Sequence, residues 1–240
     1  MPNRRPAPRA ARTPGRAQAV FETLRDGIVA GDFPAGERLP PERELVVRYG
    51  ASRAAVREAL KRLAQAGLVT TVHGGGTRVE NPRRAAGLDL LESIALAGAG
   101  EQRRAVMRGV VEMRSVLSVD AARLAALRHT ERQLAAIRSR IAELGGTQDD
   151  AALHQRIVAA WDAVVDASGN VAYRLAFNSL REGYDLFGKP LHKALRDAFH
   201  APDYRVLAEA IAAHDTTRAE RAARRILEKD AALVVERFGF

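Results

Sequence analysis

The chain has 240 residues, a formal net charge of +9, 47% hydrophobic residues and no cysteine. That length holds two domains of ordinary size or one large one, and the apolar content is enough to fill a core. The lack of cysteine excludes a disulfide framework and any thiolate metal site, and the sequence has neither an apolar run long enough to span a bilayer nor the apolar core of a signal peptide, so a soluble cytoplasmic protein is expected. The charge is uneven: residues 1–84 carry a net +8 and the other 156 residues a net +1. A local basic excess favours a polyanionic partner, nucleic acid first. Residues 1–19 alone supply five arginines and no acid, however, so charge by itself does not establish a nucleic-acid-binding domain.

Residues 1–17 are rich in Arg, Pro and Ala without apolar period and read as a disordered basic arm. Residues 18–81 read as a small domain. Val20, Leu24 and Ile28 recur four apart and predict a first helix over 19–30, ended by the turn formers of 31–36. Pro40 and Pro41 followed by Glu42 open a second helix that runs to Tyr49 and stops at Gly50. Ser52 is a good N-cap for a third helix reaching about Ala66, with Val56, Leu60 and Leu63 as its core stripe. Arg53, Arg57 and Lys61 lie four apart beside that stripe and form one basic face. Residues 68–72 and 77–80 are strand-like runs joined by the glycine-rich segment 73–76, a small hairpin.

Residues 82–87 read as a linker. Beyond them, over 88–240, helical period prevails and no strand is convincing. Helices are predicted near 88–98, 103–128, 131–144, 149–167, 171–187, 190–199, 203–213 and 215–237, with a capping box at Thr130 and Gln133 and N-caps at Asp203 and Asp215. The fold class is therefore mainly α: an N-terminal winged helix-turn-helix and a C-terminal all-α helical bundle. A third helix with a basic face suits the DNA major groove, where arginine pairs with guanine, and a glycine-rich wing tip lets backbone approach phosphate closely. No nucleophile elbow, phosphate loop or zinc-protease helix is present, so an enzyme is not expected.

The stretch from Ala35 to Val79 carries more than the pattern. The Ala35-Gly36 turn, Leu39-Pro40 before Glu42-Arg43, Gly50 before Ser52-Arg53, Val56-Arg57-Glu58-Ala59-Leu60, and Gly67-Leu68-Val69 leading into the wing resemble the N-terminal domain of the GntR family of bacterial transcription regulators. The resemblance implies that Arg43, Arg53 and Arg57 contact bases or phosphates. It also implies that Ser52, Ala54 and Ala55 face the groove and that His73, Gly74 and Gly75 make the wing contact. Positions 54 and 55 often bear hydroxyls in such regulators. Alanine can pack on a thymine methyl but donates no hydrogen bond.

The segment Val111-Glu112 to Arg114 and Leu117, followed by Asp120, resembles the opening of the helical effector domain of the FadR subfamily. The Ser168-Gly169-Asn170 turn and the stretch from Glu209 to Asp215 agree with it. Many members hold a metal with one Asp and three His in the bundle core. Here those positions fall on Ile157, Trp161, Tyr204 and, nearly, Ile226, so no metal and no other bound cofactor are expected. Asp150 and His154 read as a surface pair, and His192, His200 and His214 show no spacing that points to a common site. The segment from Asn170 through Tyr173 and Asn178 to Tyr184 resembles fatty-acid-responsive members, which long-chain acyl-CoA detaches from DNA. The expected effector-binding residues are thus Arg114, Ile157, Trp161, Tyr173, Asn178, Tyr204 and Ile226. A small carboxylate effector, with or without a metal, is the alternative, and a core filled by its own side chains is a third. The resemblance further implies a homodimer, more often a repressor, that reads a palindromic operator in double-stranded DNA and has no membrane partner.

Overall fold

The computed structural model describes residues 15–72, 75–97, 100–185 and 187–239. The chain divides into two compact units, residues 1–87 and 88–240.

In the first unit, α1 (Arg16–Ala30) buries Val20, Leu24 and Ile28 and packs on α3. It starts three residues earlier than its apolar period suggests, so Arg16 and Ala17, expected in the arm, are helical; residues 1–14 lie outside the described residues. Gly31 ends it in the left-handed conformation, φ +92°. The second helix, α2 (Glu42–Tyr49), has no side-chain cap, and Glu42 and Glu44 stand at the positive end of its dipole. Gly50, at φ +55°, stops it. In α3 (Arg53–Gln65) the Ser52 hydroxyl accepts the Ala55 N–H at 3.2 Å, and Val56, Ala59, Leu60 and Leu63 fill the core.

Strands β1 (Val69–Val72) and β2 (Gly76–Val79) pair antiparallel, with Val69 opposite Val79 and Val72 opposite Gly76. The sequence missed a third member of this sheet. Residues 36–39, read as turn and connection, run antiparallel along the free edge of β2: Gly36 N–H donates to Val79 O, Val79 N–H to Glu37 O and Leu39 N–H to Thr77 O, each at 2.8 Å. An isolated bridge joins Arg38 to Arg78. The expected linker is also structured. Asn81 caps a single turn, α4 (Pro82–Ala85), whose Ala85 carbonyl presses on Gly67.

The second unit begins with a 3-10 turn at Leu88–Leu90, followed by α5 (Leu91–Ala97), α6 (Gly100–Arg128), α7 (Glu131–Ala142), α8 (Asp150–Ala167), α9 (Val171–Asp185), α10 (Gly188–Ala198), α11 (Ala201–Ala212) and α12 (Thr216–Phe238). The 29 residues of α6 span about 43 Å and pack on α5, α8, α9, α11 and α12. A helix covered on several sides buries residues around most of its circumference, and α6 does so between Leu117 and Ala126. Ala121, Ala122, Ala125 and Ala126 of α6 and Ala219, Ala222 and Ala223 of α12 are buried where these two helices pack. Small side chains at such a seam let helix axes approach closely. The Thr130 capping box and the Asp215 cap form as expected, the latter accepting from Arg218 N–H at 2.9 Å. Asp203 does not cap α11. It sits in that helix's first turn, buried, with Lys229 Nζ at 2.6 Å and His200 Nδ1 at 3.2 Å.

Candidate nucleic-acid interface and core cluster

The third helix presents its basic flank to solvent. Arg53, Ala54, Arg57 and Lys61 are exposed, while Val56, Leu60 and Leu63 on the opposite side anchor the helix. Arg43 is exposed on α2, and neither it nor Arg53 forms an ion pair among the described residues. Arg57 Nε stands 3.5 Å from Glu42 Oε1, with the two side chains 74% and 47% exposed. An ion pair so solvated contributes little to stability and can give way to a base or phosphate.

Ser52 Oγ is committed as acceptor to Ala55, so only its hydroxyl proton is left to offer a phosphate oxygen. Of the two alanines, Ala54 is exposed and Ala55 half-buried, its N–H held by that cap. Gly75 is in the wing turn, and Gly76 opens β2 at φ +79°. His73 and Gly74 lie outside the described residues. Free N–H groups and the dipole at the N-terminus of α3 add a local positive potential to the arginines.

In the helical unit, Arg114, Ile157, Trp161, Tyr204 and Ile226 are all buried in the core. Arg114 Nη1 lies 3.6 Å from Asp230 Oδ2, and both side chains are 6% exposed. The Trp161 and Tyr204 rings meet edge to face with centroids 6.5 Å apart. Burial raises the Tyr204 hydroxyl above its ordinary range, and the Asp230 charge adds to the effect. Burial lifts the Asp230 carboxyl to about 6 against the pull of Arg114.

Two expected effector contacts are elsewhere. Tyr173 is half-buried, and its hydroxyl donates to Asp120 Oδ2 at 2.9 Å. The Arg123 guanidinium, 2.7 Å from Asp120, holds that carboxyl below its usual range. Asn178 is exposed and its Oδ1 accepts from Arg174 at 2.7 Å. Tyr173 packs against the margin of the core with its hydroxyl turned to Asp120, and Asn178 lies on the exposed side of α9.

The histidines also depart from expectation. His154 is no surface residue: it is 4% exposed and stacks on His192 with centroids 4.6 Å apart, while Asp150 pairs with Arg196. Burial drives the His154 imidazole down to about 4, with the charges of His192 and Arg114 acting in the same direction. His214, the one non-glycine residue at positive φ among those described, stacks on His129 at 4.4 Å. The spacing of His154, Ile157 and Trp161 places all three on one helix face, so the inward direction of His154 was readable. Asp230, one turn beyond Ile226 on α12, carried the same signal.

The donors present do not suit a metal of the kind the resemblance implies. Its ligand positions hold Ile157, Trp161, Tyr204 and Ile226. Nearby, His154 and His192 lie face to face, and Asp230 is taken by Arg114.

A winged head with an uncovered basic reading helix, followed by a separate helical unit with a charged core, defines a two-domain DNA-binding regulator. Comparison with known proteins names the class. Residues 16–79 match the model of the bacterial regulatory proteins of the gntR family, and residues 110–229 match the FCD domain, the FadR-type helical domain. The HTH-type transcriptional regulator Mce2R of Mycobacterium tuberculosis is 38% identical over 212 residues, covering 88% of each chain. The fatty acid metabolism regulator protein of Klebsiella pneumoniae is 30% identical over 187 residues, covering 78% of this chain and 74% of the relative. Among solved structures, that of Lar, described as controlling expression of the Listeria monocytogenes agr system, superposes with a TM-score of 0.59 at 16% identity, covering 96% of this chain and all of that one. The chain belongs to the GntR family of bacterial transcription regulators. These relatives are regulators and not enzymes.

Proposed function

We propose that the protein works as a homodimer, acting as a repressor, that reads a palindromic operator with α3 and leaves it when an acyl-type lipid enters the helical unit. The observation that carries the DNA half is the uncovered face of Arg53, Arg57 and Lys61 beside Arg43. Two such faces related by a twofold axis match two half-sites of opposite orientation. The lipid half draws on the apolar residues that stand at the metal-ligand positions and on the fatty acid metabolism regulators among the relatives. The effector acts by favouring a state whose head spacing no longer fits the operator, which requires different affinities for the two states.

A second reading, a small carboxylate metabolite as effector, is favoured by the buried guanidinium of Arg114. An operator selected from a random DNA pool tests the whole scheme. Sequence-selective binding at raised salt, with release by oleoyl-CoA and not by citrate with Zn(II), is the expected result. Binding that ignores sequence overturns the regulator reading, and release by citrate alone transfers it to the small carboxylate.

A further inference from the structure

The first residue of α1 is fastened beside the start of α3. Arg16 is exposed, and its Nη1 donates to the Gly50 carbonyl at 3.3 Å, in the turn that joins α2 to α3. Gly50 is two residues, at most about 8 Å along the chain, from the Ser52 cap at which α3 begins. A second bond holds the same end of α1 to α3 itself, with Arg62 Nη1 donating to Gln18 Oε1. The chain that precedes α1 therefore joins the head next to its basic face. Residues 1–14 carry Arg4, Arg5, Arg9 and Arg12, with no acid and no lysine; the rest are Met1, alanine, proline, asparagine and threonine. With Arg16, these arginines supply five of the net +8 of residues 1–84.

We propose that the arginines of residues 1–14 enter the minor groove adjoining the half-site read by α3, and that they favour A·T pairs there. This rests on the reading of α3 as the helix that enters the major groove, and it adds a second contact outside that helix. Reach permits it. The adjoining minor groove lies about half a helical turn, roughly 17 Å, from the major groove, and fourteen residues span at most about 50 Å. Composition sets the class of contact. A minor groove about 6 Å wide admits a guanidinium between small neighbours, and residues 2–14 contain no aromatic or large aliphatic side chain to obstruct it. Guanidinium is more weakly hydrated than ammonium, so arginine loses water into a groove at lower cost than lysine. A·T-rich grooves are narrow and concentrate negative potential, whereas the amino group of guanine projects into the groove of G·C pairs. Attachment sets the partner. DNA held by α3 meets these arginines at a high effective concentration, an advantage that a separate polyanion lacks.

The test uses the full-length protein and an operator core selected from a random DNA pool, resynthesised with A·T, G·C or I·C pairs adjoining each half-site. An I·C pair keeps the major-groove edge of G·C but lacks its minor-groove amino group. Wild type binds the A·T and I·C duplexes about tenfold more tightly than the G·C duplex. The variant combining R4A, R5A, R9A and R12A binds all three equally, and its log–log salt slope is shallower by about 2 to 4, at roughly 0.9 for each phosphate charge neutralised. The variant combining R4K, R5K, R9K and R12K keeps the salt slope and loses most of the preference, which separates groove entry from charge alone. An alanine variant with unchanged affinity and slope, a preference that persists in it, or I·C flanks that behave as G·C overturn the proposal. So does an alanine variant that keeps operator affinity but loses binding to single-stranded RNA or to phosphatidylglycerol vesicles, which would assign the arginines to that partner. Selectivity for the core bases is read in the same titrations against a scrambled core. Its absence in wild type overturns the reading of α3, whereas its presence without a flank preference overturns the minor-groove proposal alone.

Discussion

The carbonyl oxygen of Ala85 occupies the place where a side chain on Gly67 would begin: a β-carbon there would lie 2.6 Å from it. Gly67 also has φ +71°, a conformation that L side chains rarely adopt. The close approach docks the turn that ends the first unit against the junction between the reading helix and the wing. Gly67→Ala should therefore destabilise this unit by about 2 kcal/mol or more, since backbone strain and steric contact act together. Chemical denaturation followed by far-ultraviolet circular dichroism measures it, and unchanged stability would show that α4 is free to move away.

Arg53→Ala should remove the operator's advantage over unrelated DNA, about 1–3 kcal/mol per lost base contact, while a salt-sensitive affinity persists through the remaining cations. Competition binding at two salt concentrations separates the two effects. Preference retained in full would mean that another face of the head reads the bases.

Ser52→Ala removes the cap that holds Ala55 N–H and should cost about 1 kcal/mol of stability. If Ser52 donates to a phosphate as proposed, its effect on operator affinity should exceed that of a pure stability loss. Ser52→Asp keeps the cap but adds an anion next to the DNA. It should therefore retain stability and still bind DNA poorly.

Arg114→Met removes the buried guanidinium paired with Asp230 and should cost about 3–5 kcal/mol. Adding Asp230→Leu should recover most of that loss, since an apolar pair of similar volume needs no compensation. A double-mutant cycle by thermal or chemical denaturation gives the coupling directly. Additive losses would mean that the two residues do not act as a pair.

His154 and Asp230 titrate in opposite senses. The His154 imidazole falls to about 4 in the fold, below its ordinary 6.5. Its contribution to stability is therefore present above about pH 6.5 and is lost as pH falls towards 4, because the unfolded chain binds the proton first. His154→Gln should flatten the acid limb of the stability profile by up to about 1.4 kcal/mol per pH unit within that window. Asp230, raised to about 6 from 3.8, contributes stability that is present below about pH 3.8 and lost as pH rises through 6. Asp230→Asn should remove that decline. Parallel profiles for wild type and both variants would dismiss the shifts.

The elements were legible because their signals are local. Ser52, Thr130 and Asp215 announce helix starts, and the period of Val56, Leu60 and Leu63 fixes which side of α3 faces inward. The exposed basic face of α3 was legible for the same reason: it is what that stripe leaves over. What escaped notice was non-local. Nothing in residues 36–39 says that β2 will pair with them, and a lone histidine after Asp150 looks like surface until α10 brings His192 against it. Asp203, a good cap by sequence, is claimed by Lys229, 26 positions further on. Tyr173 and Asn178 had the right composition for a pocket, but Tyr173 stands at the margin of the core, bonded to Asp120, and Asn178 is exposed.

The strip of backbone at residues 36–39 has a mechanical consequence. It is sewn to β2 on one side and runs through Leu39 and Pro40 directly into α2, whose first turn carries Arg43. The wing is therefore no independent finger hinged only at the end of α3. The spacing between β2 and Arg43 is held by the chain's own hydrogen bonds, so the two move as one piece.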